Sequence, residues 1–163
     1  MDMVSFKVAI IGFELLAGII GIIKWQNIKN TYWKYFPFYL ILIAMLENML
    51  YYWLPKLIVN YIDTFILIPG EFLFFFWLFY KNSQKKLPII IGSCVYILSF
   101  VAENIFAEKI NKGYFLSFSY SIGNLILLIF ILQYFYYLIF TERILFFYRE
   151  RMFWVASGLL IFY

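Results

Sequence analysis

Histidine is absent from all 163 residues, and that absence removes several chemistries at once. Without an imidazole there is no Ser-His or Cys-His couple, no His-ligated metal and no imidazole relay for protons. Cysteine is nearly absent too. Cys94 stands alone in an apolar run, so the chain forms no internal disulfide. Charge is scarce, at 13% of residues, where a soluble domain carries about 25%.

What is present is apolar: 66% of residues are hydrophobic and 25% aromatic. Too little polar surface remains to cover a water-exposed globule. The net charge of +4 does not point to nucleic acid, because the Lys and Arg residues punctuate apolar runs, as in loops beside anionic lipid. The expected partner is the lipid bilayer. No nucleic acid and no cofactor is expected. Residues 1–23 read as a retained helix rather than a signal peptide, since Asp2 is the first charge and the apolar stretch is long.

Crossing about 30 Å of hydrocarbon takes about 20 residues. Runs of that order cover 5–23, 35–54, 62–80, 88–106 and 114–140, and a partial sixth covers 152–163. Its twelve residues reach only about 18 Å. The expected fold is all-α: a polytopic transmembrane helix bundle, one domain over 1–163, with five complete helices and a partial sixth from a six- or seven-helix protein.

The loops set an orientation. Lys24, Lys29, Lys34, Lys81, Lys85, Lys86, Arg143, Arg149 and Arg151 fall in the first, third and fifth loops. Only Lys56, Lys109 and Lys112 fall in the other two, nine basic residues against three. The odd loops are therefore expected in the cytoplasm and the amino terminus outside. Trp25, Trp33, Tyr51, Tyr52, Trp53, Tyr80 and Tyr114 sit near helix ends, as an aromatic belt requires. Pro69, beside Gly70, falls inside the third run and predicts a kink. Gly12, Ala17, Gly18 and Gly21 predict close packing of the first helix. A faint repeat pairs Glu47-Asn48 and Gly70-Glu71 with Glu103-Asn104 and Gly123-Asn124.

Ionisable groups inside a bilayer cost about 2.5–3.5 kcal/mol each on insertion scales and mark function by default. Glu14, Glu47, Glu71 and Glu103 are such groups, and Asn48, Asn104, Asn124 and Gln133 add neutral polarity. On the expected topology the carboxylates and most of the amides lie between the midplane and the outer interface. These residue types imply an outward-facing ligand pocket lined by Glu14, Glu47, Asn48, Glu71, Glu103, Asn104 and Asn124. The competing reading is that each Glu bonds a neighbouring amide or tyrosine and ties helices together. The aromatic runs 72–79 and 134–137 read as packing. Ser157 has no histidine to activate it, and Asp63 lacks a second Asp motif.

Over Phe153-Trp154-Val155-Ala156-Ser157-Gly158-Leu159-Leu160-Ile161-Phe162-Tyr163 and Gly70-Glu71-Phe72-Leu73-Phe74, the chain resembles a group of uncharacterised bacterial polytopic proteins. It is distantly similar to the seven-helix membrane input modules of bacterial sensor kinases. The resemblance implies a bacterial cytoplasmic (inner) membrane, an external amino terminus and a sensory role, with this chain matching five helices and part of a sixth. No kinase or cyclase segment lies within it, so signalling implies a partner protein or a homo-oligomer. The expected function is a non-enzymatic sensory or ligand-binding module. The alternative is a transporter or channel for protons, cations or a small amine, and a carboxylate enzyme ranks behind both.

Overall fold

The computed structural model describes residues 3–53, 55–110, 117–140 and 150–162. Every regular element among the described residues is helical. The helices are α1 (Met3–Ile23), α2 (Tyr35–Trp53), α3 (Lys56–Ile62), α4 (Ile68–Asn82), α5 (Leu87–Ile110), α6 (Ser117–Phe140) and α7 (Arg151–Phe162), with a π-helical turn at Asp63–Leu67. Tyr114, Lys112, Arg143 and Arg149, used above to place loops and helix starts, lie outside the described residues. Among the described residues, three helices are long and apolar enough to cross a membrane: Ile58–Asn82, Leu87–Phe106 and Ser117–Phe140. They have 25, 20 and 24 residues, and at 1.5 Å per residue each reaches about 30 Å or more.

The chain forms two compact units, Met1–Leu67 and Ile68–Tyr163. In the first, α1 and α2 are an antiparallel hairpin. A Cβ on Gly18 would lie 2.5 Å from the Ile41 side chain, and one on Gly21 would lie 2.5 Å from the Pro37 ring. The expected small-residue packing thus centres on Gly18 and Gly21. Gly12 faces open space and Ala17 is exposed.

The third run starts earlier than its apolar pattern implies. Pro55 precedes α3, and its carbonyl accepts from the N–H groups of Ile58 and Val59 at 2.9 and 3.1 Å. Proline suits a helix start, where its fixed φ is helical and its missing N–H is not needed. A π turn over Asp63–Leu67 ends just before Pro69 in the sequence. Pro69 has no N–H to give the Phe65 carbonyl, and its ring crowds that carbonyl; widening the helix over Asp63–Leu67 is one way to relieve the collision.

The second unit is built on an aromatic stripe. Phe72, Phe75, Phe76 and Phe79 repeat at helical spacing on α4 and are all buried. Phe72 and Phe76 meet Tyr96 of α5 at 5.1 and 5.6 Å between centroids, and Phe76 and Phe79 meet Phe130 of α6 at 5.3 and 6.1 Å. α5 and α6 run antiparallel, with Gly92 against Ile126 and Phe130. α7 lays Met152, Ala156 and Leu159 inward, and its Phe153 meets Phe135 at 5.9 Å. The reading of the 72–79 run as packing holds in this unit.

Candidate functional site

Three helices of the second unit bring polar groups to one level. Tyr96, on α5, is only 1% exposed, and both Glu71 and Glu103 lie within electrostatic reach of it. Phe72, next to Glu71, stands 5.8 Å from the Tyr120 ring and against Gly123. Asn124 follows Gly123 and lies one helical turn beyond Tyr120. The antiparallel register set by Gly92 against Ile126 and Phe130 puts Asn124 level with Tyr96. Its Oδ1 is buried and has no hydrogen-bond partner. Such an acceptor in a low-dielectric interior calls for a donor, since buried polar groups are almost always paired.

Glu103 sits at the outer edge of this cluster and has a local task. Its Oε1 accepts from the Phe118 N–H at 2.9 Å and its Oε2 from the Ser119 N–H at 2.6 Å. These N–H groups belong to the first turn of α6, whose donors have no partner within the helix. A carboxylate there also complements the positive end of the helix dipole. Glu103→Ala is expected to destabilise the fold by about 1–2 kcal/mol, with Glu103→Gln recovering part of that loss. Denaturant unfolding of the purified protein checks it; an unchanged midpoint for Glu103→Ala would remove the capping role.

The remaining expected site residues are placed differently. Asn104 donates its Nδ2 to the Phe100 carbonyl of its own helix at 2.8 Å. Glu14, Glu47 and Asn48 belong to the first unit, where Asn48 is exposed and both glutamates are partly buried. The Gly18 and Gly21 contacts set the hairpin register so that Glu14 comes level with Ala44 and Glu47 with Ile11. The two carboxylates are thus offset by three residues along the hairpin, about 4.5 Å. Glu71 and Glu103 therefore lie within electrostatic reach of Tyr96, with Asn124 at its level, and Glu14 and Glu47 belong to the first unit. Among the described residues no group of three or more Asp, Glu, Cys or His side chains is arranged to hold a metal ion.

A cavity of about 190 Å³ opens at the other end of the second unit. Asn82, Lys85, Gln133, Tyr134, Tyr137 and Glu150 contribute its polar lining, and Phe79 and Phe130 form its inner wall. The sequence pattern places almost no polar lining at this end and reads 134–137 as packing and lipid-facing surface. The missed signal is spacing: Gln133 and Tyr137 are four apart on α6 and so share a face. No protein family, curated protein or solved structure matches the chain.

Proposed function

We propose that this chain is a non-enzymatic, polytopic integral membrane protein that binds a small primary ammonium ion around Glu71, Tyr96 and Asn124. The observation that carries this reading is the buried, partnerless Oδ1 of Asn124, level with Tyr96, which in turn lies within electrostatic reach of Glu71. An ammonium group supplies what that oxygen lacks, an N–H donor, and a positive charge for the carboxylate. Tyr120, only partly buried and one helical turn from Asn124, offers a ring face suited to a cation. A hard metal ion fits less well, because calcium takes 6–8 oxygen ligands and no cluster of three acids is formed here. Binding with an output carried by a signalling partner or a second copy is the sensory reading.

The exposed apolar surface supports the membrane setting. Leu98, Ile105, Leu125 and Ile139, all on the candidate spans, are 57–68% exposed, a pattern suited to lipid rather than water. We place the amino terminus outside, in a bacterial cytoplasmic membrane, which puts the Glu103 end of the second unit on the outer side. Reporters fused after Lys86 or Arg149 are expected in the cytoplasm and one at Lys112 outside. Cytoplasmic labelling at Lys112 would invert the topology and the direction of the site with it.

The ligand reading is tested by thermal unfolding of the protein in lipid nanodiscs with methylammonium, ethylammonium and tetramethylammonium. The first two are expected to raise the transition temperature and the third to leave it unchanged, because a quaternary ion has no N–H for Asn124. Equal shifts with all three would remove the role given to Asn124. A second reading, transport of the same ion, is favoured by Pro69, two residues before Glu71 in the same helix, since broken helices in membranes often hold substrate sites. Ligand-dependent flux into proteoliposomes would select it.

A further inference from the structure

The cavity at the Lys81–Lys86 end of the second unit belongs to neither the ammonium cluster nor the first unit. At about 190 Å³ it exceeds the space of a few waters and falls below the about 300–1,000 Å³ of drug-sized sites. A fragment the size of a lipid headgroup is the scale that fits. Its lining carries one charge of each sign, Lys85 and Glu150, with the amides of Asn82, Gln84 and Gln133. A simple anion would meet Glu150 and a simple cation would meet Lys85. A molecule bearing both charges satisfies both.

The position marks where such a molecule comes from. The lining gathers the end of α4, the end of α6 and residues just before α5 and α7, where a spanning bundle meets the headgroup layer. Lys86 extends over the Tyr80 ring at 5.2 Å, an arrangement suited to that layer. Tyr136 and Phe140 also line the cavity, stack at 4.4 Å and are 64% and 71% exposed. They form an apolar flank along α6 against which acyl chains can lie. We propose that this cavity is a binding site for the phosphoethanolamine headgroup of a membrane phospholipid. Lys85 and the amide N–H groups take the phosphate. Glu150 and the tyrosine rings take the primary ammonium.

This inference rests on the membrane setting but not on the ammonium site, so Glu71→Gln leaves it unchanged. The test is native mass spectrometry of the full protein released from detergent with added phosphatidylethanolamine, phosphatidylcholine, phosphatidylglycerol or free phosphoethanolamine. Phosphatidylethanolamine is expected to bind at one per chain, about tenfold or more above phosphatidylcholine or phosphatidylglycerol. Glu150→Gln should abolish that preference, Lys85→Gln should weaken all three phospholipids alike, and Lys81→Gln, outside the lining, should change neither. Lys85 is exposed and Glu150 partly so, which keeps these variants folded. Phosphatidylglycerol binding as well as phosphatidylethanolamine, or a preference that survives Glu150→Gln, would overturn the proposal. Free phosphoethanolamine binding as tightly as the lipid would uphold the headgroup chemistry and overturn the lipid as its source.

Discussion

Glu71→Gln is expected to weaken binding of a primary ammonium ion by about a hundredfold or more while leaving the fold intact. The substitution keeps the side chain's shape and one carbonyl-type acceptor, so it removes little except negative charge. Breaking a buried ion pair by neutralising one partner costs about 3–5 kcal/mol, and each 1.4 kcal/mol is about tenfold in affinity. Glu103 is poorly placed to substitute, because both its oxygens already accept N–H bonds from Phe118 and Ser119. Glu71 stands in the middle of the 25-residue span Ile58–Asn82, where its charge is least screened by water. Isothermal titration with ethylammonium in nanodiscs reads the affinity directly. An unchanged dissociation constant would mean that Glu71 is not the counter-charge.

Gly123→Ala is expected to destabilise the second unit by about 1–3 kcal/mol, the usual range for overpacking a filled core. The new Cβ would lie 2.8–2.9 Å from three atoms of the Phe72 ring. That ring has no room to turn away, being 1% exposed and held against Phe76, Tyr96 and Tyr120. The expected sign opposes intrinsic propensity, by which alanine in a helix gains about 1 kcal/mol over glycine. Gly158→Ala supplies the contrast, because nothing lies within 4 Å of the added atom. It should be neutral or stabilising. Denaturant midpoints for the two variants settle the comparison, and equal midpoints would show that Phe72 yields. Phe72 also packs on Tyr96 at 5.1 Å, so Gly123→Ala should weaken ammonium binding as well.

The helices were legible because each apolar run is long and each ends in charge, proline or aromatic rings. Runs 35–54, 88–106 and 152–163 correspond to Tyr35–Trp53, Leu87–Ile110 and Arg151–Phe162, displaced only at their ends, where hydropathy carries no hydrogen-bond information. The start of the third run was misplaced, because Lys56 and Asn60 read as loop although Pro55 opens a helix there. The π turn was not legible. Proline announces a disturbance, but the choice between a kink and a widened turn is made by surrounding packing. Of the expected ligand set, Glu71 and Glu103 lie within electrostatic reach of Tyr96 and Asn124 stands at its level; depth along a helix can be counted from sequence. Helix rotation cannot be counted, and rotation turns Asn104 back to its own helix and Glu103 to the end of α6. The 190 Å³ cavity escaped notice because it forms where helix ends converge, a tertiary fact with no periodicity.

The most direct test of the account is equilibrium binding of labelled ethylammonium to the wild-type chain and to Asn124→Leu, both in nanodiscs. Leucine has the same number of side-chain heavy atoms as asparagine, branched at the same carbon, and removes the one acceptor on which the reading rests. The account predicts saturable binding at one ion per chain for the wild type, and its loss in Asn124→Leu with the unfolding midpoint held or raised. Saturable binding of equal affinity in both proteins, or none in the wild type, would contradict it.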